Sequence, residues 1–193
     1  MIFQTGNYKI IIRHIFLLMN LIICFSVFSS AQKITPMYDP MPVPPANKSR
    51  LFYLQRTMDK NTVIYETNVG NDGVININDP VKIYWIDYDE GGGTSELTVT
   101  QNKLAYGLKT KLIDKKKKIW KINLVSYKKL NLIMRKGPDN LYHMYTRING
   151  KEAMLTKFLV YITGGTYLSP DIKHIEITGQ DKSGKVVSQK LIP

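Results

Sequence analysis

The chain has 193 residues, with 27 Lys and Arg against 15 Asp and Glu and a formal net charge of +12. Its one cysteine excludes a disulfide framework and any metal site built from several thiolates. The length suits one domain, large enough to bury a core without covalent staples.

Residues 1–31 read as an export signal. Lys9 and Arg13 form a basic start, Ile15 to Phe28 is an apolar run, and Ser29-Ser30-Ala31 offers small residues before Gln32. The run falls short of the roughly 20 residues of a comfortable span and lacks a basic stop-transfer flank. Cleavage near Ala31–Gln32 is therefore expected, leaving a periplasmic or secreted chain with no transmembrane span. Cys24 lies within the apolar run, behind bulky Leu21-Ile22-Ile23 where a lipobox has small residues, and would leave with the signal.

Residues 32–48 carry Pro36, Pro40, Pro42, Pro44 and Pro45, which favour extended geometry and forbid a helix or a central strand. They predict a tether or an arm along the domain. Residues 49–193 then form one β domain. Leu51–Leu54 and Thr62–Tyr65 are strands around a polar turn, and Asn68 to Pro80 is a long turn-rich loop. Val81 to Tyr88 is apolar on both faces, which predicts a central strand covered on both sides, with Trp85 as its core anchor. A short helix is predicted over about Ser95 to Tyr106, with Thr94 able to cap it and Gly107 to close it.

Lys115, Lys116, Lys117 and Lys118 precede an alternating strand with Trp120, Ile122 and Leu124 on one face. Four adjacent lysines repel and want water, so they read as a hairpin tip, with a polyanion contact as the sharper reading. Gly137 to Asn140 and Asn149-Gly150 are turns; the latter suits a type I′ hairpin, which needs positive φ at both positions. Strands follow over Ala153–Ile162, Lys173–Thr178 and Lys185–Ile192. Short strands at regular spacing predict an all-β domain, an antiparallel sandwich with a barrel as the alternative.

No Gly-x-Ser-x-Gly, HExxH or phosphate-cradling loop is present. Asp87, Asp89 and Glu90 precede three glycines, but the twelfth position from Asp87 is Thr98, not the Glu of a calcium loop. His143 and His174 read as half-exposed strand positions. No catalytic residue, metal ligand or cofactor is assigned, and scattered Asp and Glu leave an envelope hydrolase as the alternative reading. Tyrosine offers a flat ring with a polar tip, suited to stacking on sugars, and Tyr84, Tyr88 and Tyr106 lie on or beside the stretch around Trp85.

The phrases LFYLQR, PVKIYWIDY, QNKLAYG and the closing IEITGQDKSGK make residues 49–193 similar to an exported bacterial family, domain of unknown function 4833. The resemblance implies one compact domain behind a signal peptide and transfers no active-site residue. The expectation is a non-enzymatic binding or structural domain of the envelope, with Tyr84, Tyr88, Tyr106 and Lys115 to Lys118 as contact residues. Its partners would be an envelope glycan, lipopolysaccharide or another envelope protein, and not nucleic acid.

Overall fold

A computed structural model describes residues 40–166 and 169–193. The predicted export signal, Cys24 and the first part of the tether lie outside the described residues. The elements run β1 (Arg50–Arg56), β2 (Thr62–Thr67), β3 (Val81–Asp87), β4 (Gly93–Glu96), the helical segment α1, β5 (Leu108–Asp114), β6 (Ile119–Leu124), β7 (Leu132–Lys136), β8 (Tyr142–Ile148), β9 (Lys151–Gly165), β10 (Pro170–Gln180) and β11 (Val186–Leu191). Segment α1 is α-helical over Val99–Gln101 and π-helical over Asn102–Tyr106.

All eleven strands belong to one sheet, in the order β4-β3-β2-β1-β9-β8-β7-β6-β5, with β10 and β11 attached along β9. The domain is all-β as expected. The sheet is single and strongly curled into a half-barrel, so the barrel-like alternative lies nearer than two stacked sheets. Pairing is antiparallel except between β1 and β9, which run parallel with Tyr53 opposite Lys157. Strand β9 is the spine. It meets β8 through its first residues, β1 through its middle, and β10 along most of its length.

The concave side holds one core. Phe52 stacks on Tyr65 at 4.1 Å and meets Phe158 edge-on at 5.4 Å, tying β1, β2 and β9 together. Trp120, Ile122, Leu132, Met134 and Met144 continue the core into β6, β7 and β8. The two ends of the sheet do not pair, and the gap is closed by non-strand pieces. From α1, Tyr106 enters the core against Trp85, with ring centroids 5.0 Å apart. From the loop after β2, Ile75 is buried and the Ile77 carbonyl accepts a hydrogen bond from Trp120 Nε1 at 3.2 Å.

Two local predictions need correction. The helix starts at Val99, not near Ser95. Thr98 caps it by accepting from the Gln101 amide at 3.2 Å, while the Gln101 side chain accepts from the Thr98 amide at 2.9 Å. That reciprocal pair outcompetes a cap at Thr94, leaving Gly93–Glu96 to pair with β3. Gly107 ends the helix, and a Cβ there would sit 1.9 Å from the Asn102 carbonyl oxygen. The stretch around Trp85 is also not central: β3 is one strand from the edge, with only the four-residue β4 beyond it. Trp85 itself is buried as expected. At Asn149-Gly150 both φ values are positive, 51° and 77°, as a type I′ turn requires.

Candidate functional site

The second face of β3 explains why that strand is apolar on both sides. Rows across the sheet place Tyr53, Ile64, Tyr84 and Glu96 side by side, and Gln55, Thr62, Ile86 and Thr94 in the next row. This convex face receives no second layer of secondary structure. Its cover is the arm: the Pro42 carbonyl accepts from Gln55 Nε2 at 2.7 Å, Pro44 is buried, and Asn47 Nδ2 donates to Glu66 Oε1 at 2.5 Å. Between the arm and β3 lies a cleft of about 300 Å³, bordered by Asn47, Arg50, Glu66, Tyr84 and Tyr88 with Ile64 and Ile86 on the sheet side.

Polar chemistry in the cleft is unevenly satisfied. The Tyr84 hydroxyl donates to Glu66 Oε1 at 2.9 Å. Burial, then this bond to a carboxylate, pushes its pKa up to about 12, so the phenol stays protonated and keeps donating. The Tyr88 hydroxyl is buried and makes no hydrogen bond among the described residues. Burial raises its pKa as well, partly opposed by the Arg50 guanidinium. Arg50 also lies over the Tyr53 ring at 5.6 Å. Tyr88 opens a single 3-10 turn, and the chain reverses through Gly91 and Gly92, both at positive φ. Asp87 in that turn accepts from Ser95 Oγ at 2.5 Å. Among the described residues no cluster of three His, Cys, Asp or Glu could hold a metal ion.

Of the residues singled out from sequence, Tyr84 and Tyr88 meet in this cleft. Tyr106 does not join them. It is in the core, on the other side of the sheet, where its hydroxyl accepts from Arg56 and its carbonyl accepts from Tyr65 at 2.8 Å. Arg56 is itself buried, 5.1 Å from the Trp85 ring and paired with Asp59 at 2.5 Å. The four lysines form the turn between β5 and β6, remote from the cleft in sheet order, with Lys115, Lys116 and Lys117 exposed and Lys118 half-buried.

The arm along the domain was expected, but Arg50 and Glu66 were missed from sequence. An alternating reading of Arg50 to Glu66 would have flagged Tyr53, Ile64 and Glu66 as one outward set, but only the pairing register brings them beside Tyr84. His174 is another correction. It is buried under the Tyr161 ring, stacked at 4.1 Å, on the sheet face opposite the core residues Ile177 and Phe158.

A second hollow of about 460 Å³ lies on the convex side of β7, β8 and β9, beside Arg135, Tyr145, Glu152, Asp181 and Lys182. Its two acids are already engaged. Glu152 pairs with Arg135 at 3.1 Å, and Asp181 accepts from the Ser183 amide, the Ser183 hydroxyl and the Lys185 amide. The Ser183 bonds hold the Asp181 carboxyl below the usual range. Nearby, His143 Nε2 lies 2.8 Å from Asp139 Oδ2.

The family model for the domain of unknown function DUF4833 matches residues 52–190, and the chain belongs to that family. No curated protein and no solved structure matches it.

Proposed function

We propose that this is a non-catalytic binding domain of the cell envelope or the secreted fraction, and that the Tyr84–Tyr88 cleft receives a sugar ring of an envelope glycan. The observation that carries the reading is the Tyr88 hydroxyl, buried and unpartnered among the described residues, at the edge of an open cleft. A buried donor without an acceptor costs about 1–3 kcal/mol, a cost that a ligand hydroxyl would relieve. Ile64, Ile86 and the tyrosine rings offer flat apolar area, while Arg50 and Glu66 offer a donor and an acceptor at the rim. That mixture suits a sugar, apolar on its faces and hydroxylated at its edge. The export signal read from the sequence supports an extracytoplasmic partner. The hydrolase alternative has less support, since the cleft borders a single acid, Glu66, already accepting from two donors.

The test is titration with oligosaccharides released from envelope material, followed by aromatic NMR. Tyr84 and Tyr88 ring signals should shift, and Tyr88→Phe should weaken binding about fivefold or more through the lost hydrogen bond. Shifts confined to other tyrosines, or unchanged affinity in Tyr88→Phe, would sink the reading.

A further inference from the structure

Charge is distributed very unevenly along this chain. Fourteen of the 27 Lys and Arg residues fall between residues 97 and 151, against two acids, Asp114 and Asp139. Strands β5 to β8 occupy that interval, and their alternation sends Lys109, Lys111, Lys121, Arg135 and Arg147 to the convex side, opposite the core residues Trp120, Ile122, Met134 and Met144. Lys111 lies directly opposite Lys121 in the ladder, where like charges are destabilising. Neither of them, nor Lys109 or Arg147, makes a salt bridge among the described residues. Of the nearby acids, Asp139 pairs with His143 and Asp114 accepts from the Lys117 amide at 2.9 Å, while Glu152 pairs with Arg135 and lies opposite Arg147, so the uncompensated cations of this face are Lys109, Lys111 and Lys121.

We infer that this convex face of β5 to β8, extended by the Lys115–Lys118 turn, is a docking surface for a linear acidic polysaccharide. Self-repulsion kept in place without internal counter-charge is relieved when an external polyanion supplies it. Lysines two apart on a strand are spaced by about 7 Å and facing strands lie about 5 Å apart, so the cations form a stripe that an extended chain of acidic sugars can follow. At the β8 end the stripe meets the hollow beside Tyr145, Lys182 and Arg135, whose guanidinium lies 3.8 Å over the Tyr145 ring. A bilayer fits less well, because the face is convex and carries no amphipathic helix to insert. Single-stranded nucleic acid needs aromatic platforms spaced along the stripe, and the row Lys111–Lys121–Ile133–Tyr145 carries just one, at its β8 end. This surface is separate from the tyrosine cleft and does not rest on the reading given to it.

The experiment uses the full chain, fluorescein-labelled polygalacturonate, neutral dextran, and vesicles of phosphatidylglycerol and phosphatidylcholine. The parent should bind polygalacturonate and not dextran, with affinity falling steeply between about 50 and 200 mM salt. Lys121→Glu should weaken binding about tenfold or more while leaving the melting temperature equal or higher, because the new carboxylate lies opposite Lys111. Lys109→Gln with Lys111→Gln provides a second variant should the reversal perturb folding. Absence of polygalacturonate binding at low salt, equal binding by both lysine variants, or binding to the anionic vesicles alone would overturn the proposal.

Discussion

Strands β1 to β4 and strands β5 to β8 are opposite wings of one sheet, and they differ only on the outside. Their inner faces are interchangeable in kind: Phe52, Tyr65 and Trp85 on one wing, Trp120, Met134 and Met144 on the other, all in a single core. Outside, the first wing carries Tyr53, Ile64, Tyr84 and Ile86 under a proline-rich arm, with its one outward carboxylate at the cleft already bonded. The second wing carries unpaired lysines in open water. A fold requires only the inner faces, so the outer ones are free to diverge. The comparison teaches that apolar area outside the core and uncompensated charge outside the core are two separate departures from what the fold alone requires.

The largest effects should be the ones the wings share. Trp85→Ala and Trp120→Ala should each cost about 3–5 kcal/mol, lost burial plus the cavity left behind. Both side chains are buried, so urea unfolding of the two variants should give matching losses. A tolerated truncation on either wing would break the equivalence of the inner faces.

Next comes the buried ion pair between Arg56 of β1 and Asp59 of the turn that follows it. Arg56→Met leaves Asp59 buried without its cation and should cost about 3–5 kcal/mol, while adding Asp59→Leu should restore most of it. Burial raises the Asp59 carboxyl above its ordinary 3.8 despite Arg56. A raised folded value means stability that is complete below pH 3.8 and declines as pH climbs through the folded value. The double variant should lose that decline, which denaturant titrations across acidic pH would reveal. A parent whose stability instead rises through this window in step with Asp59 would contradict the assignment.

The cleft should separate stability from binding. Tyr84→Phe removes the bond to Glu66 and should lower stability by about 1 kcal/mol, whereas Tyr88→Phe removes an unsatisfied buried hydroxyl and should raise it by up to about 1 kcal/mol. Calorimetric melting of the pair settles this. Equal behaviour would mean that Tyr88 has a partner after all.

The smallest effects belong to the lysine turn. Replacing Lys115 to Lys117 by Ser should change stability by less than about 0.5 kcal/mol, since exposed substitutions away from packed features are nearly neutral. Lys118 differs: its φ is 52°, so Lys118→Gly should stabilise by about 1 kcal/mol by removing left-handed strain. Thermal melts distinguish the two, and a large loss in the Ser variant would show the turn to be packed.

Most strands were legible from alternation because each inner face is continuous, as at Trp120, Ile122 and Leu124. The turns at Asn140 and Asn149-Gly150 were legible because positive φ selects those residues. Pairing order was not. Nothing local in Tyr53 or Phe158 announces that β1 lies parallel to β9, because that contact is chosen by the curl of the whole sheet. The same gap hid half of the cleft. Tyr84 and Tyr88 stand out in one strand, while Arg50, Glu66 and the arm join them only through register. Tyr106 misled for a related reason: an aromatic at a helix end looks exposed until the helix is seen to close a barrel.

The parallel contact between β1 and β9 also governs when the molecule can take shape. Hairpins between β5 and β8 pair near neighbours in the chain and can zip as soon as they emerge. Strand β1 must wait for Lys157 to Val160, more than a hundred residues further along the chain, and until then one of its edges stays bare. Both wings are runs of antiparallel neighbours, so what is left unfinished until β9 arrives is the outer edge of β1 and of β8. A bare strand edge on the apolar wing is the kind of surface through which unfinished chains pair with one another, and β9 removes it.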